Sequence, residues 1–162
     1  MTRNKRRHQA RSGAPDPDRR PSPRPGKTGT STSDPARVAA YRTLRAITAE
    51  DAYANLALTE QTAELSARDA AFATELVAGT CRGLGLYDAI VVSAGGRPLR
   101  SLQPAVVDLL RLGAHQLLEL RVPSHAAVAA TVELARTVVS QRVTGVVNAI
   151  LRKVAALDAD GW

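Results

Sequence analysis

The chain has 162 residues, a single cysteine (Cys81) and a net charge of +7. That length suits one domain, one thiol closes no internal disulfide, and no stretch approaches the ~18 apolar residues of a membrane span. The charged N-terminus is followed by no apolar run, so no secretory signal is expected, and a soluble cytoplasmic protein is the expectation.

The charge is unevenly spread. Residues 1–35 hold nine Lys and Arg against three Asp, a net +6, while the other 127 residues hold 13 basic and 12 acidic groups, a net +1. Residues 1–33 are built of Arg, Pro, Ser, Gly and Thr and lack large apolar side chains. Such a segment cannot bury enough surface to offset its ordering entropy, and it is expected to be a disordered basic tail. Its GKT at 26–28 is a fragment of a phosphate-binding loop. The full pattern needs a glycine at 21, where Pro21 stands, and a preceding strand.

From Asp34 the texture becomes helical, and residues 34–162 read as one domain. Asp34 with Pro35 forms an N-cap and a proline at the first helical position, and Ala40, Leu44 and Ile47 recur at helical spacing. A second helix is expected over about 52–64. Ser66 and Asp69 open a third as cap and first-turn acid. Its stripe runs Ala73, Leu76, Val77, Thr80, Leu84, Tyr87, Val91, with Gly79, Gly83 and Gly85 inside it as marks of close packing or of a break. Gly95, Gly96 and Pro98 end it.

A fourth helix is expected over about 103–120, with Val106, Leu109, Leu110, Gly113 and Leu117 inward. Pro123 stops it and Ser124 caps a fifth, with Val128, Val132, Ala135 and Val139 inward. A sixth, over about 143–156, buries Val143, Val146, Val147, Ile150, Leu151 and Val154. No strand pair is visible. The fold class is all-α, a bundle of about six helices joined by short loops.

Candidate chemistry is sparse. His115 and His125 have no third ligand at metal spacing and read as ordinary, partly buried histidines. Cys81 has Arg82 beside it but no histidine at a catalytic offset, and reads as a helix-packing cysteine. Asn148, within an apolar helix, reads as a buried amide bonded to a neighbouring loop. No catalytic, cofactor or metal residue emerges. The arginines say more. Arg42 and Arg45 lie about 60° apart around the first helix at ~100° per residue, facing away from Leu44 and Ile47, with Arg37 a further step along a similar side. Two readings stand: an edge that binds RNA phosphates next to the basic tail, or a solvated arginine-rich face. Aromatic residues are too few for a broad base-stacking platform.

Three motifs carry a resemblance. RDAAFATELVAGTCR at 68–82, LLRLGAHQLLELRVPSHAAVAATVELAR at 109–136 and TGVVNAILRKV at 144–154 resemble the NusB-like N-terminal domain of the bacterial 16S rRNA (cytosine-C5)-methyltransferase family (RsmB, Sun or Fmu), over about residues 35–162. His115 replaces a usual tyrosine and Val146 a usual phenylalanine. The resemblance implies an all-helical fold that binds RNA, with 16S rRNA as partner and Arg37, Arg42 and Arg45 at the RNA edge. It further implies a catalytic domain in cis that uses S-adenosylmethionine. No glycine-rich cofactor loop and no pair of catalytic cysteines occur in this chain, so no activity is expected of it alone. The alternatives are a stand-alone NusB-type transcription antitermination factor and a helical protein-interaction scaffold.

Overall fold

A computed structural model describes residues 33–162. The described residues form seven α-helices and three single-turn 3-10 helices, with no strand among them. The all-α expectation holds, with one helix more than the sequence indicated. The expected tail, residues 1–33, lies outside the described residues except for Ser33, which is buried.

Helix α1 spans Pro35–Glu50, and the Asp34 carboxylate accepts the Ala36 N–H at its start. It ends at Asp51, which takes a left-handed φ of 53°. Helix α2, Ala54–Thr62, is shorter than expected and buries none of its residues. Helix α3, Ala67–Arg82, opens on Ser66, whose hydroxyl accepts the Asp69 N–H at 3.1 Å.

The expected third helix is in fact two. The chain breaks at Gly83 and turns by 78° into α4, Leu84–Gly95. The Tyr87 ring folds against this corner, so a Cβ on Gly83 would lie 2.5 Å from Tyr87 Cε2. The apolar stripe runs through the corner because both helices turn it inward. Ala73, Leu76, Val77 and Thr80 are buried from α3, and Tyr87 and Val91 from α4.

A 3-10 turn, Leu99–Ser101, leads to α5, Pro104–Leu118. Helix α6 spans Ser124–Val138 and α7 spans Thr144–Val154. Ser124 is the first residue of α6 and not its cap. Pro123 occupies the cap position and offers no side-chain acceptor. Leu117, Val132, Val139 and Val146, expected inward, lie half-buried at the fringe of the core.

Helix α5 is the centre of the fold. Residues 106–110 and 112–116 are all buried, which leaves it almost no solvent face. It touches α1, α3, α4, α6 and α7. Gly113 faces inward as expected, and its missing side chain lets α5 approach α7: a Cβ there would sit 2.7 Å from both methyls of Leu151. Polar groups join the same seam. The buried Gln116 amide accepts from Arg37 Nε at 2.7 Å and donates to Leu112 O at 3.1 Å. Among the described residues no single helix is long and apolar enough to cross a membrane.

Candidate nucleic-acid interface

The structure separates the three arginines that the sequence grouped. Arg42 is exposed on α1, with no hydrogen bond or ion pair to a described residue. Arg37 is spent on the fold: it donates to Asp34 and Gln116, and its guanidinium lies 5.0 Å from the centre of the Phe72 ring. Arg45 turns toward α5 and donates to Asp108 at 2.7 Å. The expectation that Arg45 points away from the core is therefore corrected. It lies about 100° round the helix from Leu44, and its long side chain reaches across to a buried carboxylate.

That carboxylate is the group that sequence reasoning missed. Asp108 lies on α5 among valines and leucines and is 1% exposed. Burying a carboxylate is costly unless several charged or hydroxyl donors satisfy it. Asp108 has three. Arg45 and Thr48 donate to Oδ2 at 2.7 and 2.6 Å, and Arg111 donates to Oδ1 at 2.9 Å. Arg111 is held in turn by a two-pronged pair with Asp88 on α4, at 2.7 and 2.8 Å. These bonds push the Arg111 guanidinium above its ordinary pKa, the Asp88 bond most of all. One signal for the network stood in the sequence, an aspartate inside the apolar run VVDLLRL with an arginine three residues on.

Above Asp108 a cleft of about 330 Å³ opens between α1, the 3-10 turn and the start of α5. Arg45, Arg100, Arg111 and Thr48 line it over an apolar floor that includes Leu102 and Val107. Arg100 is exposed and makes no ion pair with a described residue.

None of the remaining candidates lines this cleft. His115 is fully buried and not partly so. Its Nδ1 lies 2.8 Å from the Tyr87 hydroxyl, and its Nε2 has no partner in the described residues. The imidazole packs where Gly79 has no side chain, for a Cβ there would stand 2.1 Å from His115 Cε1. Burial pushes the His115 pKa down. His125 is exposed, and Asn148, expected buried, is half-exposed in a groove between α6 and α7. Cys81 is half-buried against the core, and burial pushes its thiol up, away from a reactive thiolate. No cluster of three or more metal-ligating side chains occurs among the described residues.

Residues 34–156 match the NusB family. The chain belongs to the NusB family. A putative methyltransferase of Mycobacterium tuberculosis is 50% identical over 131 residues, which is 80% of this chain and 29% of that protein. A probable ribosomal RNA small subunit methyltransferase B of Synechocystis is 34% identical over 129 residues, 78% of this chain and again 29% of the relative. The chain thus spans under a third of the length of these relatives. Among solved structures, a chain in the complex of antitermination factors NusB and NusE with double-stranded RNA superposes with a TM-score of 0.69 at 19% identity, covering 75% of this chain and 94% of that one. This last likeness establishes the NusB-like fold.

The relatives' names imply S-adenosylmethionine. The described residues do not fit it: their pockets are lined by helix faces, and no strand leads into a glycine-rich turn.

Proposed function

We propose that this NusB-family chain is an RNA-binding domain of the kind found in 16S rRNA (cytosine-C5)-methyltransferases, which places a catalytic domain on ribosomal RNA and has no methyl-transfer activity by itself. The observation that carries this reading is where the identity falls. The 50% match to a methyltransferase covers 80% of this chain and under a third of the relative. The antitermination reading draws on the family match and on the shared fold, the latter at 19% identity.

The RNA edge is proposed to lie along α1, with exposed Arg42 meeting phosphate directly, Arg45 acting from the cleft, and Arg37 bracing the start of the helix beside the basic tail. The expected cellular location is the cytoplasm. The test is fluorescence anisotropy of the full chain with a 16S rRNA hairpin and a scrambled control. Saturable binding that falls with salt is expected, because phosphate contacts release counterions. Arg42→Glu is expected to weaken it. No binding even at low salt would remove the RNA reading and favour a protein-interaction scaffold. Calorimetry with S-adenosylmethionine is expected to show no saturable heat.

A further inference from the structure

We infer that Asp108 is a positioning residue for RNA. It fixes the Arg45 guanidinium so that Arg45 and Arg100 together seat one backbone phosphate in the cleft between α1 and α5. The inference rests on the RNA-binding reading above and names the group that makes one subsite of it.

The geometry divides the three cleft arginines into two kinds. Arg111 uses Nε, Nη1 and Nη2 on Asp88 and Asp108, so it serves as a brace. Arg45 spends only Nη1 on Asp108, and 28% of its side chain remains open to solvent. Its other N–H groups have no partner among the described residues. Arg100 stands on the facing 3-10 turn with its whole guanidinium unpaired among them. A phosphate between two guanidiniums over an apolar floor is bound by directed, charge-assisted bonds, which a solvated lysine does not supply.

Stability alone gives no reason for this arrangement. A buried ion network is often matched by apolar residues of similar volume, and Asp108 is flanked along α5 by buried Val107 and Leu109. What the carboxylate adds is a fixed direction for a long, flexible cation. An arginine already held in place loses less side-chain freedom when its ligand arrives.

The consequence runs against simple electrostatics. Asp108→Asn raises the net charge by one, so a domain that bound RNA through charge alone would bind more tightly and with a steeper salt dependence. Positioning demands the opposite. The experiment is anisotropy of the full chain with a 16S rRNA hairpin across a salt series, comparing the unaltered chain, Asp108→Asn, Arg100→Gln and the double variant. Thermal melting by circular dichroism is followed in parallel. Each single variant is expected to weaken binding about tenfold, the size of one charge-assisted hydrogen bond. Each is also expected to flatten the log–log salt slope by about 0.7 to 0.9, the share of a single phosphate. The double variant should flatten the slope no further than either single one, because both act on the same phosphate.

An Asp108→Asn protein that melts normally and binds as well or better overturns the inference, as does an unchanged slope for Arg100→Gln. Should Asp108→Asn fail to fold, Arg45→Lys keeps the charge but gives up the planar fork that aims separate N–H groups at carboxylate and phosphate. Equal binding by that variant overturns the inference just as well. Inorganic phosphate at matched ionic strength is the competing arm. If it displaces the hairpin at millimolar concentration, the cleft is a site for free phosphate and not for the RNA backbone. An unaltered chain that binds no RNA defeats the broader reading, whereas RNA binding indifferent to Asp108 defeats this one alone.

Discussion

The imidazole of His115 is asked to stay neutral. Burial lowers its proton affinity, Arg82 adds to that, and the charges of Glu75 and Glu119 oppose it only in part. The Tyr87 hydroxyl beside it is pushed up to about 12 by its own burial, so it keeps its proton throughout the range where histidine titrates. In the unfolded chain the same imidazole takes a proton near pH ~6.5. As pH falls through that value, the unfolded state gains a proton that the folded state resists, and stability drops. Denaturant midpoints are expected to hold between about pH 7 and 8 and to decline toward pH 5.5. His115→Gln is expected to remove part of that decline, whatever it does to the midpoint at pH 7.5. An identical decline in both proteins would mean that His115 is charged in the fold.

Among the elements, the packing of α5 on α7 depends on Gly113. Gly113→Leu puts a side chain where the methyls of Leu151 already lie 2.7 Å from a bare Cβ, and overpacking of this kind costs roughly 1–3 kcal/mol. Urea denaturation is expected to show the midpoint fall with the m-value kept; an unchanged midpoint would place Gly113 away from the seam. Gly113 was legible in the sequence because it falls in phase with Leu109, Leu110 and Leu117 on a helix of unambiguous period. The split between α3 and α4 was not, since an apolar stripe that steps by three or four passes through a corner without a change of rhythm. Only Gly83 marked the place. Arg37 and Arg45 were located on the correct helix, but their partners lie far along the chain: Gln116 is 79 residues from Arg37 and Asp108 is 63 from Arg45. No local pattern records such a pairing, so periodicity alone made a free arginine face out of one exposed cation and two tethered ones.

At the scale of the molecule, charge is spread unevenly along the chain. A net +6 belongs to residues 1–35, and the rest carries only +1. Removing residues 1–32 is expected to weaken RNA binding. The salt slope should flatten by about 0.7 for each phosphate of single-stranded RNA that the tail neutralises. The ratio between a 16S rRNA hairpin and a scrambled one should hardly change. Anisotropy of the shortened chain with both RNAs checks this, and a collapse of that ratio would mean that the tail reads sequence. The fold has its own division. Helix α5 is enclosed by five other helices, while α2 has no fully buried residue and rests on the core through half-buried Leu58. Amide hydrogens therefore leave on two clocks. Those of α2 are expected to exchange through local fraying within the native state, and those at the middle of α5 only when the whole domain opens. In deuterium, the slowest amides of α5 should report the global free energy of unfolding, so a variant such as Gly113→Leu should speed them while leaving α2 as fast as it was.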